Sequence, residues 1–550
     1  MEVSLQRALT VFVTAISLFV AISSIVGCIH FFSPIPFFDQ WDGFVGFYQT
    51  VREGHALSAF WAQHNEHRIV VSRVLFWMDI AWFGGMNVST IGGNWLLCAG
   101  IALAIIVESR RVWTSQVTRL FTAAFAIALA LSWAQRENLT WGFESQCLLV
   151  YLFAILAFAR LSRDDPKNIN LAAALVFSVL ATISMGNGIA VFAVGAIQCF
   201  LLRQSWRRIF ALCASGALTA ALYFHDYTRP MLQLLGPIPE HATRTKIQYF
   251  FSFLGNAIFY SIPNIHLAFV FGLATFLIAS LTVLNLYRTG EITPFRAFLI
   301  GCYGFVLVTA LGATHSRWML DLSSSISSRY TTPTLLGMSV LGFLLIDITE
   351  TTSRRRFYVM FALSVVVAAL APSSLRAYGD NSILFGQKMA VLGQKIGLVH
   401  PEYVQYVYPL NQLAAFEKRA TTANLYQIGP YRSGWLHDAG LVKFDATRID
   451  PSLCIGSMDA IRPDTAGQTA VGWVVATQYA QPSTLIVLAD GQGNTVGYGV
   501  TGIKRPDIRK LIPDAPHDSG WVGFVEKDAH AVRPFAYVGG EFCPIGNPSS

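Results

Sequence analysis

Long apolar runs separated by short polar stretches fill the first 372 residues of the chain. A bilayer core is crossed by roughly 17–25 apolar residues, and in lipid the backbone of such a run must satisfy its own hydrogen bonds as a helix. Eleven runs fit, near 9–29, 91–107, 119–135, 147–160, 171–185, 188–202, 208–224, 264–287, 297–313, 333–349 and 357–372. The stretch 43–83 is too polar to span. It mixes Phe44, Phe47, Tyr48, Phe60, Trp61, Trp77 and Trp82 with charges, which suits helices lying along the interface. Beyond 372 the pattern changes. Residues 373–440 read as a helical connector broken at Pro401 and Pro409. From 441 to 550, short β-type runs alternate with glycine turns, among them Val471-Gly472-Trp473-Val474-Val475 and Leu485-Ile486-Val487-Leu488. The turn Asp490-Gly491-Gln492-Gly493-Asn494 marks a hairpin, and a small β-sandwich is expected.

The basic residues orient the spans. Arg7 precedes the first. Arg110 and Arg111 follow the second, and Arg160, Arg163 and Lys167 the fourth. Arg203, Arg207 and Arg208 follow the sixth, Arg288 and Arg296 flank a later loop, and Arg354-Arg355-Arg356 precedes the last span. Every second loop is basic, so the N-terminus is expected in the cytoplasm and the C-terminal domain outside it. The first run is long and lacks a small-residue cleavage site, and reads as an uncleaved helix. A chain of 550 residues that is 53% hydrophobic, with a mean hydropathy of +0.48, is not a soluble enzyme. The net charge of +7 reports topology, not a nucleic-acid partner. Six cysteines lie in or beside apolar runs with no metal-ligand spacing. Cys454 and Cys543 bracket the β-type module and are candidates for a disulfide if it lies outside the cytoplasm.

The alternate, external loops hold the unusual polar residues. Phe37-Phe38-Asp39-Gln40-Trp41-Asp42 follows the first span. Asp39 and Asp42 are candidates for a general base, or for a shared Mg²⁺ or Mn²⁺. His64-Asn65-Glu66-His67-Arg68 comes next. Here His67 and Arg68, with Arg73, suit an anionic headgroup or phosphate better than a metal. The second external loop carries Glu137, Asn138, Trp141 and Glu144, the last at the start of a span where an acid is costly unless used or paired. A later loop holds His315, Arg317 and Asp321, then Arg329 and Tyr330. Arg329 is a cation on the external edge, against the positive-inside trend, and suits a lipid-linked phosphate. Loop 225–263 adds His225, Arg229, Arg244 and Lys246, and the turn 185–188 is Met-Gly-Asn-Gly.

This arrangement over residues 1–372 resembles the GT-C superfamily of integral-membrane glycosyltransferases. The shared features are an acidic motif in the first long external loop, interfacial helices after it, a further acid in the second loop, basic residues in a late loop and an extracytoplasmic C-terminal domain. The resemblance implies about eleven transmembrane helices with the N-terminus inside and the C-terminus outside, in a bacterial inner membrane. It implies a polyprenyl-phosphate sugar as donor and an envelope glycan, lipid or protein as acceptor. Asp39 would deprotonate the acceptor, Glu137 or Glu144 would assist, and Arg329 with Arg68 would hold the departing phosphate. His64, Glu66, His67, Arg73, Trp141, His315, Arg317 and Tyr330 complete the candidate site. The pair here is Asp-x-x-Asp where several GT-C families have adjacent acids, so the choice of base and the need for a metal stay open. A lipid-linked glycan flippase or an O-antigen-type polymerase is the alternative. A flippase would keep ionisable groups near the midplane.

Overall fold

A computed structural model describes residues 2–163, 168–228, 242–350, 352–464, 466–476 and 483–546. Arg229 and Lys167 lie outside this set. The chain divides into two compact units. One comprises Met1–Phe32, Leu57–Leu75 and Ser89–Gly379, the other Ser33–Ala56, Phe76–Val88 and Asp380–Ser550. Much of the first polar loop therefore belongs with the C-terminal unit.

Each of the eleven apolar runs forms a helix in the first unit. They are α1 (Glu2–His30), α2 (Val88–Ser109), α3 (Gln116–Ala130), α4 (Ser145–Leu161), α5 (Ile169–Ser184), α6 (Ala190–Leu201), α7 (Trp206–Phe224), α8 (Ile265–Thr289), α9 (Pro294–Arg317), α10 (Thr331–Ile348) and α11 (Ser353–Leu370). Among the described residues seven helices are long and apolar enough to cross a bilayer; the helices around α4, α5 and α6 are apolar but shorter. This is a membrane protein, and its burial pattern agrees. On α1 the inward face is Gln6, Thr10, Ser17, Ser23, Ser24 and Gly27 with Val13 and Val20, while Val11, Leu18, Ile22 and Ile29 point out. Small and polar residues inward with large apolar ones outward is the ordering expected where lipid, not water, is the solvent. The same logic explains a close crossing between helix Ala242–Leu254 and α8. A Cβ built at Gly272 would sit 1.9 Å from the Phe251 carbonyl oxygen, and one at Gly255 1.9 Å from that of Ala268.

The second unit carries the sheet. Its strands are β1 (Cys454–Pro463), β2 (Gln468–Ala476), β3 (Leu485–Ala489), β4 (Thr495–Ile503), β5 (Gly520–Val525), β6 (Arg533–Val538) and β7 (Glu541–Pro544). They form one antiparallel sheet in the order β1-β2-β5-β4-β3-β6-β7. The expected sandwich of two sheets is thus a single curled sheet. The curl brings its ends together: Met458 N donates to the Gly546 carbonyl (2.8 Å), and a disulfide joins Cys454 on β1 to Cys543 on β7, with Cα atoms 5.9 Å apart. These contacts pair part of the two edge strands, which would otherwise expose unpaired backbone. One face of the curl encloses Met458, Val474, Ile486, Leu488, Trp521 and Val525. The other packs Val487, Tyr498, Val500 and Phe524 against Met389 and Leu392 of helix α12 (Ile383–Ile396).

Candidate functional site

In the second unit the motif Phe37-Phe38-Asp39-Gln40-Trp41-Asp42 is mostly architectural. Gln40 is buried; its Oε1 accepts from Phe37 N (3.1 Å) and its Nε2 donates to Asn87 Oδ1 (2.8 Å). Asn87 N in turn donates to the buried Asp79 (2.8 Å). Trp41 is fully buried with its ring edge-on to Phe416 at 5.3 Å. Asp42 opens a π-helical turn, Trp41–Gly46, and both its oxygens are engaged. Tyr408 Oη donates to one (2.5 Å) and Arg419 Nε to the other (2.8 Å). Arg419 thereby occupies the place a cation beside Asp42 would take. The carboxylate also holds the Tyr408 phenol on the protonated side, with burial the larger cause. Asp39 differs. Among the described residues its half-buried carboxylate accepts no side-chain hydrogen bond and forms no ion pair. Of the two candidate bases, Asp39 is the one not already engaged.

In the first unit His64 and His67 sit in a two-residue antiparallel ladder, Gln63–His64 with His67–Arg68. Two of the cations assigned to phosphate are consumed here. Arg68 is buried, and its guanidinium donates to the carbonyls of Trp61 (2.7 Å), Tyr223 (2.8 Å) and His225 (2.6 Å) while lying over the Trp61 ring. Arg73 donates to the carbonyls of Phe60 (3.0 Å) and Ala62. Burial, with Arg68 nearby, pushes Arg73 down to about 10. Both arginines thus cap the backbone of the interfacial segment, where a phosphate-binding role was expected of them.

A second set of polar groups gathers at the ends of helices in the same unit. Arg317, in the last turn of α9, pairs with Glu66 at 3.2 Å. His67 Nδ1 accepts from Gly186 N (3.3 Å), so its neutral form is the one in use. Burial pushes this imidazole down to about 4; Glu66 opposes that, and Arg317 and His64 add to it. Gly186 is held close: a Cβ there would lie 2.9 Å from Tyr223 Oη and 3.1 Å from His67 Nδ1. Asn187 donates to Thr309 on α9 (3.0 Å).

Around α10 the arrangement continues. Asn138 donates to the Arg329 carbonyl (3.0 Å) and to Thr332 (2.7 Å), which commits it structurally. Ser328 Oγ accepts from Glu137 N (3.2 Å) and Ser327 Oγ donates to the Glu137 carboxylate (3.3 Å). Glu144 is buried at the start of α4. Arg329 stands just before α10, half-buried, with Glu144 and Glu137 in electrostatic range and Tyr330 beside it at 5.5 Å. Its Nε is buried without a hydrogen-bond partner, and among the described residues no carboxylate lies within 4 Å of the guanidinium. Burial raises the Tyr249 phenol, and Arg317 and Arg329, both in electrostatic range of it, oppose that. Tyr330 packs on Phe253, and Trp141 lies buried against Phe143, whose ring also meets His64 at 5.0 Å. His315 on α9 is exposed. Sequence reasoning missed Tyr249 and Thr309; it singled out the turn at Gly186-Asn187-Gly188 but gave Asn187 no role.

No protein-family model matches this chain, and neither does any curated protein or solved structure.

Proposed function

We propose that this chain is an integral-membrane glycosyltransferase of the GT-C kind, moving a sugar from a polyprenyl-phosphate donor to an envelope acceptor on the external face of a bacterial inner membrane. The observation that carries the reading is Arg329: a half-buried guanidinium just before α10 that forms no ion pair among the described residues, with two acids in electrostatic range. The Tyr330 phenol with Glu144 and Glu137 keeps it charged despite its burial, and a phosphate is an anion that a guanidinium fork fits.

The topology in this reading takes all eleven helices as spans, with the N-terminus inside. Two observations support it. Ion pairs Arg163–Glu108 and Arg296–Asp347 (2.6 Å) gather at one set of helix ends, the C-termini of α2, α4 and α10 and the N-terminus of α9. Glu66, Glu137, Glu144, Arg317 and Arg329 gather at the opposite ends, as alternating spans require. The Cys454–Cys543 disulfide suits an oxidising compartment for the C-terminal domain.

In the reaction the acceptor hydroxyl oxygen attacks the anomeric carbon, and the bond from that carbon to the phosphate oxygen breaks with its electron pair. The acceptor proton passes to a carboxylate. Direct attack inverts the anomeric centre. The leaving group is a phosphate, so stabilising its charge matters more than protonating it, and Arg329 with Arg317 does so. A positioned base contributes about 10²–10⁴-fold. The resemblance gives that role to Asp39, whose carboxylate accepts no side-chain hydrogen bond and forms no ion pair among the described residues; within the first unit Glu137 and Glu144 are the acids in electrostatic range of Arg329.

The test is turnover of a labelled polyprenyl-phosphate sugar pool by the purified protein in nanodiscs with added envelope glycan, with and without Mg²⁺ or Mn²⁺. Wild type is expected to transfer sugar, and Asp39→Asn and Arg329→Gln to lose transfer while keeping their elution profile. A folded wild type that is inert with every sugar, yet moves lipid-linked glycan across proteoliposomes, would replace this reading with transport.

A further inference from the structure

The second unit holds a cluster to which the transferase reading gives no part. His400 ends an extended segment immediately before Pro401, whose ring disfavours helix at the preceding residue. Its imidazole is 2% exposed and lies flat on Phe524 of β5, with ring centroids 4.0 Å apart and planes 11° from parallel. Its Nδ1 is buried and makes no hydrogen bond. Two carboxylates nevertheless face that nitrogen: Glu402 Oε1 at 3.4 Å and Asp464 Oδ2 at 3.3 Å. All three donor atoms lie within 4.8 Å of one another.

A buried imidazole nitrogen with no hydrogen bond, aimed between two carboxylate oxygens, lacks something. An imidazolium would be expected to turn its N–H onto one oxygen, and that alignment is absent. A metal ion supplies what is missing, since it needs a deprotonated nitrogen and two anionic oxygens converging on one point. The spacing agrees. Tetrahedral zinc with bonds of about 2.1 Å places neighbouring ligand atoms about 3.4 Å apart. Supporting contacts are present too. The Phe524 ring fixes the plane of the imidazole, and Thr469 Oγ1 donates to Asp464 Oδ2 at 2.7 Å, restraining that carboxylate.

We propose that His400, Glu402 and Asp464 bind a divalent transition metal, zinc foremost, through His400 Nδ1 and one oxygen from each acid. The ion ties the helical turn Pro401–Val404 to the turn between β1 and β2, and its fourth position faces the more exposed Glu402 side, open to water. One nitrogen and two oxygens favour zinc over magnesium or calcium, which take oxygen alone.

The experiment uses the full chain, purified without a polyhistidine tag, stripped with a chelator and titrated with Zn²⁺ against a competing fluorescent chelator. Wild type is expected to take up one zinc per chain and to melt at a higher temperature with it. Asp464→Asn and Glu402→Gln, both at accessible side chains, are expected to weaken binding by tenfold or more and abolish the thermal shift. His400→Ala should do the same, though its buried ring makes the two acid variants the cleaner test. Co²⁺ in place of zinc should give the visible absorption of a four-coordinate site in wild type alone. Zinc uptake by the Glu402→Gln, Asp464→Asn double variant equal to that of wild type would overturn the proposal, as would a wild type that binds none. Because these residues have no part in the transferase reading, either result leaves that reading to its own test.

Discussion

Arg68 and Arg329 were equal candidates for holding a phosphate, and the structure separates them in a way that stability can test. Replacing Arg68 by Gln leaves at most one of the three carbonyls of Trp61, Tyr223 and His225 with its donor. Each buried acceptor left without a partner costs about 1–3 kcal/mol. Two such acceptors, with the lost contact to the Trp61 ring, put the expected loss at about 3–5 kcal/mol. At about 2 °C per kcal/mol for a large domain, the melting temperature should fall by about 6–10 °C. Arg329→Gln removes a guanidinium with no ion pair, so it should melt within about 2 °C of wild type. The assay is thermal unfolding in one detergent at one protein concentration, with tryptophan emission as the signal. Binding of a polyprenyl phosphate by the folded fraction of each variant is measured alongside. Arg68→Gln should be fragile but bind normally, and Arg329→Gln sturdy but binding-deficient. An Arg68→Gln protein that melts like wild type and loses lipid-phosphate binding would refute the assignment of Arg68 to the backbone.

The His67 imidazole is depressed from its ordinary 6.5 to about 4, so between those values the unfolded chain binds more protons than the folded one. Its contribution is complete above about pH 6.5 and is lost as pH falls towards about 4, amounting to about 1–3 kcal/mol. His67→Gln should flatten that part of the pH–stability profile; an unchanged slope would mean that His67 titrates normally. The Cys454–Cys543 bridge closes 89 residues of chain, worth about 4–5 kcal/mol if loop entropy dominates. The Cys454→Ser, Cys543→Ser pair should make the C-terminal unit cleavable by protease at temperatures where wild type resists. Equal resistance would show that the curled sheet holds without its staple. At Gly188 a Cβ would lie 2.2 Å from backbone atoms of Ala181, whereas one at Gly92 meets nothing within 4 Å. Gly188→Ala should therefore fail to give a monodisperse elution peak while Gly92→Ala gives the wild-type one, and a well-behaved Gly188→Ala would contradict the packing of the 185–188 turn.

The helices were legible because lipid imposes a length and a composition on each segment separately, and all eleven apolar runs are helical. What joins distant segments was not legible. The sequence could not distinguish Asp39 from Asp42, because the partners that engage Asp42 lie 366 and 377 residues further on. Arg68 looked available because its carbonyl partners at Tyr223 and His225 are more than 150 residues away. The β-type runs and the hairpin turn were readable from alternation and glycine. Whether those strands split into two sheets or curl into one depends on which edges meet, and no local pattern encodes that. His400 and Asp464 left no spacing signature, since a metal site assembled from one His-Pro-Glu turn and a β-hairpin turn 64 positions on has no short motif.

These separations share one physical rule. In an apolar bundle a charge is kept only where something compensates it, so the useful question about each ionisable residue is what its partner is. Arg68, Arg73, Asp42, Arg296 and Asp347 all have one within their own unit, and their presence is explained by folding alone. Among the described residues Arg329 forms no ion pair, the Asp39 carboxylate accepts no side-chain hydrogen bond, and the buried His400 Nδ1 makes none either. In the readings proposed above, an anion serves Arg329, an acceptor proton Asp39 and a metal His400. The three requirements differ in chemistry, and each can fail its experiment without disturbing the others.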